Sequence, residues 1–304
     1  MTDLPTPLEP APPGLWDGEL LLKREDVHEL GAFKWRGALP TLERFARDGA
    51  DGVVTASTGN HGAATAWAAS RVGLRAVVYA PERASREKVA HVEAHGAELR
   101  LVGPDLDAAK EEGQAWAERE GLPFFEDGAE REQYDGYGAI GREICDQLEP
   151  RGPAALVVPV GNGALLGGIG LELCRQAPDV ARIGVAAKEA PVMADSWDAG
   201  EPVESDRSGT FADGLAVRVA IPLAVRVLGE VASHFVTVSE REIAEAVGTL
   251  HRAGIRVEGA AAAGVAALPK LERYEGPVVV IVTGRNIDDE LHRRAVEQPE
   301  SFPD

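Results

Sequence analysis

Short apolar runs alternate with longer amphipathic segments along most of the chain. The short runs are rich in β-branched residues and predict strands, and the apolar residues between them recur at helical spacing. The predicted strands are residues 20–24, 52–56, 74–79, 97–102, 154–160, 183–187, 235–238 and 278–282. The predicted helices are residues 38–47, 60–71, 86–95, 106–119, 137–147, 163–175, 223–231, 240–253 and 259–271. This alternation favours βαβ units, so the predicted fold class is α/β with parallel-type open sheets flanked by helices.

Two stretches lack either pattern. Residues 1–18 are rich in proline and are expected to follow the protein surface. Residues 199–210 contain glycine, proline and serine and predict a loop.

Composition narrows the class of protein. The 304 residues are enough for two modest domains, and 44% of them are hydrophobic, which is enough for a sizeable core. A net charge of -19 argues against nucleic acid and anionic membrane surfaces as partners. No apolar run approaches the length of a membrane span, and the first residues lack a signal-peptide pattern, so a cytoplasmic location is expected. Cys145 and Cys174 have no CxxC partner and are expected to be buried free thiols.

The stretch from Gly31 to Ala38 carries the strongest chemical signal. Lys34 lies between a predicted strand and a predicted helix, with Phe33 and Trp35 on either side. A cation gains nothing at the positive end of a helix, so the position is unfavourable for an ordinary surface lysine. A lysine amine in a partly apolar pocket can instead form a Schiff base with a carbonyl compound.

Three glycine-containing turns follow predicted strands, where parallel sheets bind ligands. They are residues 57–62, 161–168 and 283–286. Glycine amides and the helix start at residues 161–164 predict a phosphate site. Leu166 stands where a dinucleotide fingerprint needs its third glycine, and the chain has no GK[ST] motif, so nicotinamide-dinucleotide and P-loop sites are disfavoured.

Taken together, these motifs resemble the fold type II pyridoxal-phosphate enzymes, whose fold is like that of the tryptophan synthase β subunit. The sequence is most similar to the serine/threonine dehydratase and serine racemase group. The resemblance runs from about residue 6 to residue 288 and includes Leu22–Asp26, Phe211–Ala216 and Glu258–Ala261. It implies a large cofactor-binding domain of residues 1–46 and 132–304, and a small mobile domain of residues 47–131 that closes over substrate. A homodimer is also a family expectation.

The resemblance also implies roles for individual residues. Lys34 would bind pyridoxal 5'-phosphate and act as the base at the substrate Cα, with Thr58 as a second catalytic residue. The implied cofactor contacts are Phe33, Lys34, Asn60, Gly161, Asn162, Gly163, Ala164, Leu165, Gly214, Glu258 and Thr283. The implied substrate contacts are Ser57, Thr58, Gly59, Asn60 and His61. A neutral hydroxyl at Thr283 would leave the cofactor's pyridine nitrogen largely unprotonated, which favours β-elimination or replacement over a long-lived carbanion.

Some positions depart from the family pattern. Thr58 stands where racemases carry a second catalytic serine, which disfavours racemisation. Ala186 follows the strand in place of the Glu-Pro that begins the family's divalent-metal site, so no metal is predicted. The residue 159–163 loop, Thr58 and Thr283-Gly284 resemble threonine synthases, but Trp35 replaces the aspartate that those enzymes usually carry.

Structural explanations exist for several of these residues. His61 could cap its helix, Asn162 could suit a left-handed turn, Asp213 could be a turn residue, and Glu258 could complement a helix N-terminus.

The sequence therefore predicts a pyridoxal-phosphate-dependent lyase that removes the β-hydroxyl from a small amino acid and gives a 2-oxo acid and ammonia. Two alternatives remain. A threonine synthase or another replacement enzyme would need a cation for a phosphorylated substrate, and Lys188 and Arg285 are the candidates. A non-catalytic metabolite-binding protein is the more distant alternative.

Overall fold

The computed structural model describes residues 5–205 and 207–304, with the backbone alone at residues 87 and 88. Part of each patternless segment therefore lies outside the described residues: positions 1–4 of the 1–18 segment and position 206 of the 199–210 loop. The chain divides into a large unit, made of the residues up to Phe33 together with Tyr137–Asp304, and a small unit, Lys34–Gly136. The prediction that residues 47–131 form a mobile domain that closes over substrate stays a prediction.

Strands and helices alternate along most of the chain, as predicted for an α/β fold. The strands are β1 Leu8–Pro10, β2 Leu20–Arg24, β3 Gly52–Ala56, β4 Arg75–Ala80, β5 Glu98–Leu101, β6 Ala155–Pro159, β7 Ala181–Ala187, β8 His234–Val238 and β9 Val278–Val282. The helices are α1 Trp35–Arg47, α2 Asn60–Val72, α3 Arg86–Glu93, α4 Leu106–Glu120, α5 Arg131–Leu148, α6 Ala164–Gln176, α7 Val192–Ala199, α8 Pro222–Val231, α9 Glu240–Arg252, α10 Gly259–Ala266 and α11 Asp289–Glu297. In the parts of the chain that the structure covers, no helix is both long and apolar enough to span a membrane.

The large unit is built on one sheet with strand order β1-β2-β9-β6-β7-β8. All neighbouring strands are parallel except β1, which runs antiparallel to β2 at the edge. Every residue of β6 and β9 is buried, as expected for central strands covered on both faces. Helix α10 contains only glycine, alanine and one valine, and a Cβ on Gly264 would lie 2.7 Å from Val280 Cγ1. Small side chains thus let α10 pack directly against the centre of the sheet.

The small unit has a parallel sheet with strand order β3-β4-β5. The segment of residues 123–125 extends this sheet beside β3: Val54 N donates to Pro123 O over 3.0 Å, and Phe125 N donates to Val54 O over 2.7 Å. The core of this unit joins Val54, Val77 and Tyr79 to Ala109 and Ala117 of α4.

Several boundaries and one burial expectation differ from the sequence analysis. Strand β1, helix α7 and helix α11 were not predicted, and α5 begins at Arg131 rather than residue 137. The expectation that both cysteines are buried is wrong. Both are free, but Cys174 is exposed and Cys145 is only half-buried, because Cys174 lies on the solvent side of α6.

Lys23, in β2, is fully buried inside the large unit and forms an ion pair there with Glu143. Its Nζ donates to Glu143 Oε2 over 2.6 Å, to Thr6 O over 2.7 Å and to Gln147 Oε1 over 2.9 Å. Removing one partner of a buried ion pair leaves the other charge uncompensated.

We therefore expect Lys23→Met to lower the free energy of unfolding by about 3–5 kcal/mol, measured by urea unfolding. The matched control is Lys270→Met, which removes a partly exposed pair with Glu242 and should cost less than about 1 kcal/mol. The double variant Lys23→Met with Glu143→Leu should recover most of the loss. Equal losses in the two single variants would contradict a special cost of the buried charge.

Candidate active site

Lys34 occupies the N-cap position of α1, one residue before Trp35. Its Nζ donates to Asp127 Oδ2 over 2.5 Å, and both side chains are largely buried, with 16% and 25% of their surface exposed. The amine predicted to bind a cofactor is therefore held by a carboxylate that the sequence analysis did not single out.

Asp127 is held from several sides. Gln133 Nε2 donates to its Oδ1 over 3.0 Å, and His61 Nδ1 lies 3.5 Å from the same oxygen. Burial by itself raises the pKa of the Asp127 carboxyl, but the charge of Lys34, the charge of His61 when it is protonated, and the hydrogen bonds from Lys34 and Gln133 outweigh it. The net result is a pKa well below the usual aspartate range, so Asp127 stays a carboxylate at any pH near neutral.

His61 lies in the first turn of α2 and is buried against Phe125, with ring centroids 4.6 Å apart. Its Nε2 is 3.2 Å from Phe125 O, so the neutral ring places its hydrogen on Nε2 and donates there. Burial is the largest influence on its pKa and lowers it, Asp127 raises it, and the charge of Lys34 lowers it further. The pKa of His61 is therefore below the ordinary value, and the ring is neutral at neutral pH.

This lowered pKa makes stability depend on pH. Below the ordinary histidine pKa of 6.5, the unfolded chain binds a proton at this position more readily than the folded one, so the free energy of unfolding falls as the pH falls. We expect His61→Gln to lose less stability than the parent protein between about pH 7.5 and about pH 5.5. Urea unfolding at both pH values measures the difference, and an equal loss in the two proteins would contradict it.

The turn from Ser57 to Gly62 joins β3 to α2. Ser57 Oγ accepts a hydrogen bond from Gly59 N over 3.1 Å, and α2 begins at Asn60. Gly59 takes the N-cap position and no side chain caps the helix, so His61 is not its cap. The amides at a helix N-terminus favour an anionic group such as a carboxylate, and residues 57–60 are half-buried. The roles of Ser57, Thr58, Gly59, Asn60 and His61 toward a substrate stay predictions.

A second glycine turn joins β6 to α6 in the large unit. Gly163 has a positive φ of 90° and precedes the first residue of α6, Ala164. Asn162 Oδ1 accepts a hydrogen bond from Ala164 N over 3.1 Å. No described residue other than glycine has a positive φ, so the left-handed explanation of Asn162 is wrong and Gly163 makes the turn instead.

The turn between β6 and α6 packs closely against the backbone around Gly214. A Cβ on Gly161 would collide with the carbonyl oxygen of Gly214, and a Cβ on Gly214 would lie 2.9 Å from Ala260 Cβ. Gly214 belongs to a short 3₁₀ helix, Asp213–Leu215, which packs against α10. Because Gly161 and Gly214 have no side chains, the turn after β6 can lie directly against the Asp213–Leu215 segment. Gly214 of this segment is one of the predicted cofactor contacts.

The third turn follows β9. Thr283 is 3% exposed, and among the residues described its Oγ1 is a buried polar atom without a hydrogen-bond partner. Thr283 O accepts a hydrogen bond from Phe33 N over 3.1 Å, and Gly284 O accepts one from Glu258 N over 3.1 Å. Glu258 precedes α10 without capping it through its side chain, and its carboxylate lies against Gly284, where a Cβ would be 2.7 Å from Oε1.

Taken one at a time, these features have the chemistry that a part of pyridoxal phosphate requires. Lys34 offers an amine for the aldehyde, the glycine turn at the start of α6 offers amides for the phosphate, and Thr283 offers an unpaired hydroxyl for the ring nitrogen. Phe33, buried and 5.1 Å from the Tyr137 ring, offers an aromatic surface for the pyridine ring. These assignments of single residues stay predictions.

The chain belongs to the pyridoxal-phosphate dependent enzymes, since the model of that family matches residues 1–284. It is 33% identical to the L-threonine ammonia-lyase of Thermotoga maritima over 284 residues, which cover 92% of this chain and 70% of that protein. It is 34% identical to the L-threonine ammonia-lyase of Geobacter sulfurreducens over 273 residues, which cover 88% of this chain and 67% of that protein. The processed form of threonine deaminase isoform 2 from Solanum lycopersicum has a similar structure, with a TM-score of 0.90, 28% identity, and coverage of 98% of this chain and 89% of that one.

These findings confirm the predicted family, fold class and cofactor. The protein is a pyridoxal-phosphate-dependent lyase of the dehydratase type, and the prediction of an enzyme is confirmed over the non-catalytic alternative.

Asp127 is the residue that sequence reasoning missed. It follows the apolar pair Phe124-Phe125, which lies beside β3 in the small sheet. The local signal is weak: an acidic residue and a glycine after an apolar run mark the end of a strand, but they do not show that the carboxylate reaches Lys34.

Proposed function

We propose that this enzyme is an ammonia-lyase that acts on L-threonine, L-serine or a closely related β-hydroxy amino acid. The observation that carries the proposal is Thr283, whose hydroxyl is buried and unpaired within the part of the chain described here. A neutral hydroxyl at the ring nitrogen weakens the cofactor as an electron sink and favours prompt loss of a β-substituent. The activity of the two ammonia-lyase relatives supports the same reaction.

Pyridoxal phosphate, when bound, makes the Cα–H of an amino acid acidic enough to remove. We assign removal of that proton to the Lys34 amine, which lies at a strand-to-helix junction and is largely buried. The amides at the start of α2 bind the substrate carboxylate, and the Thr58 hydroxyl assists proton transfer. Half-burial of residues 57–60 leaves this turn accessible to a small molecule.

The overall reaction is balanced without an oxidant or reductant. Loss of the Cα proton and the β-hydroxyl removes one water from the amino acid and leaves an enamine. The enamine gives an imine after it leaves the enzyme, and addition of one water then releases ammonia and a 2-oxo acid. From L-threonine the product is 2-oxobutanoate, and from L-serine it is pyruvate.

The test is 2-oxo acid release by the purified protein loaded with pyridoxal phosphate. L-Threonine, L-serine and a small panel of β-hydroxy and β-amino amino acids are compared in the same assay. Release of a 2-oxo acid from any of them supports elimination and identifies the substrate. An absence of release from a protein that still carries the yellow cofactor would overturn the proposal and make O-phosphohomoserine the next substrate to try.

The structure weakens the replacement alternative. Lys188 Nζ donates to Asp304 O over 3.2 Å, and the Arg285 guanidinium donates to the carbonyl oxygens of Asp26 and His28. Both cations proposed for a phosphorylated substrate are therefore engaged by main-chain oxygens.

We further propose a homodimer that works in the cytoplasm. The free thiols of Cys145 and Cys174 support a reducing compartment, and the dimer rests on the family resemblance alone. Light scattering after size-exclusion chromatography tests the dimer, with a mass of about one chain as the contrary result.

A further inference from the structure

The Asp127 carboxylate that pairs with Lys34 is itself oriented by further hydrogen bonds. Asp127 Oδ2 faces the Lys34 amine, and Asp127 Oδ1 accepts from Gln133. Gln133 Oε1 in turn accepts from Gly128 N over 2.8 Å, and Gly128 has a positive φ of 92°. The carboxylate is therefore oriented by its own loop and by the first turn of α5, and one oxygen is left to point at the amine.

His61 completes the charge arrangement around this pair. Its Nδ1 faces Asp127 Oδ1 at 3.5 Å, but its Nε2 is directed to Phe125 O. A neutral imidazole adds no positive charge beside Asp127. Of the titratable groups on α2 and the residue 126–133 segment, Asp127 pairs with the Lys34 amine, and His61, when protonated, carries a charge that opposes that of Lys34. Glu126 acts on His61.

A lysine amine that bonds to an aldehyde must first lose its proton, because an ammonium ion has no free electron pair. A carboxylate at hydrogen-bond distance favours the ammonium form and fixes its position. The arrangement is thus suited to two intervals: before the cofactor is loaded, and after the amine has taken the substrate proton.

We propose that Asp127 is a positioning residue that holds the Lys34 amine as an ammonium ion before the cofactor is loaded and after the amine has taken the substrate proton. This inference rests on the proposed role of Lys34. Asp127 also stabilises the proton taken from the substrate while it is on Lys34 Nζ, until Nζ passes it to the departing β-hydroxyl, which leaves as water. Asp127 itself does not take the proton.

The experiment measures Lys34 reactivity in the cofactor-free protein. The protein is treated with a limiting amount of an amine-reactive acylating reagent across a pH series, and modification of the Lys34 peptide is quantified by mass spectrometry. We expect Asp127→Asn to shift the midpoint of the labelling curve to lower pH by about one unit or more, which corresponds to roughly tenfold faster labelling on the low-pH limb. An unchanged midpoint in a folded Asp127→Asn protein would overturn the proposal.

The controls separate charge from structure. Glu130→Gln removes a nearby carboxylate that pairs with Arg44 and should leave Lys34 labelling unchanged. Asp127→Glu retains the charge and should keep the midpoint near that of the parent, so a midpoint as low as that of Asp127→Asn would contradict the proposal. Asp127→Ser, which also removes the charge, replaces Asp127→Asn if circular dichroism shows that the latter does not fold. Lys110 in the same digest provides the internal reference for reagent concentration.

Cofactor loading gives a second measurement. The appearance of visible absorbance after pyridoxal phosphate is added should show the same pH shift in Asp127→Asn. Neither measurement requires turnover. The proposed ammonia-lyase function and the proposed role of Asp127 can therefore be overturned independently of each other. A labelling shift without 2-oxo acid release would overturn only the proposed function, and 2-oxo acid release without a labelling shift would overturn only the role of Asp127.

Discussion

Replacing Lys34 with alanine is expected to abolish both the visible absorbance of the bound cofactor and all 2-oxo acid release. The variant has no amine to bond the cofactor aldehyde and no base at the position assigned to the Cα proton. The loss also leaves the largely buried carboxylate of Asp127 without its cation, so some loss of thermal stability should accompany it. Absorbance spectra of the dialysed protein and the 2-oxo acid assay measure the two effects.

Two further variants keep this result interpretable. Lys34→Arg preserves a cation beside Asp127, so it should fold as well as the parent, yet it should also lose absorbance and turnover because a guanidinium stays protonated. Lys110→Ala removes another lysine of the small unit that pairs with a carboxylate, Glu126, over 2.7 Å, and it should retain both. Turnover by the Lys34→Ala protein above the background rate would show that the catalytic amine lies elsewhere.

A methyl group on Gly161 is expected to weaken pyridoxal-phosphate binding by about tenfold or more and to lower the free energy of unfolding by roughly 1–3 kcal/mol. The backbone of Gly161 is not in the left-handed region, so the cost is steric: the new Cβ would collide with the main-chain oxygen of Gly214. Neither partner is a flexible side chain, so the turn that precedes α6 has to move. Cofactor titration by absorbance and urea unfolding measure the two effects.

Gly209→Ala is the matched control for this substitution. Gly209 lies in the large unit, as Gly161 does, and a Cβ added there would have no heavy atom within 4 Å. It should leave cofactor affinity and stability within about 0.5 kcal/mol of the parent. Equal behaviour of the two alanine variants would show that the approach of the turn to Gly214 has no energetic consequence.

Periodicity predicted the elements that bury a continuous apolar face. Strands β3 and β9 were predicted with the observed ends, because short β-branched runs bounded by turn residues leave little freedom. The elements that were missed carry weaker signals. Strand β1 is a three-residue edge strand that ends in Pro10, and its only partner is β2, so nothing local distinguishes it from a surface segment.

The missed helix turns have the same kind of cause. The first turn of α5, Arg131-Glu132-Gln133, and most of α11 are polar, so they show little apolar periodicity. Helix α10 ends at Ala266, whereas the pattern predicted a helix to residue 271. A 3₁₀ turn at Leu268–Lys270 containing Pro269 takes over there, because proline cannot supply the amide that a continuing helix needs.

The site was predictable where chemistry is concentrated in a motif. Lys34 and the three glycine turns stand out locally, because each combines a special backbone requirement with a reactive or polar group. Asp127 does not stand out in this way. Its partners Lys34 and His61 are far away in sequence, and the contact exists only because residues 123–125 align beside β3.

The order of strands in the large sheet also dictates when the cofactor site can be completed during synthesis. β2, which leads into Lys34, is made early, but along its inner edge it pairs with β9, made near the end. The hydrogen bond from Phe33 N to Thr283 O joins the same early and late segments. A nascent chain halted on the ribosome before residue 278 would carry the reactive lysine without the strand that anchors its neighbour. Loading with pyridoxal phosphate is therefore a late event, after the two distant parts of the sheet have met.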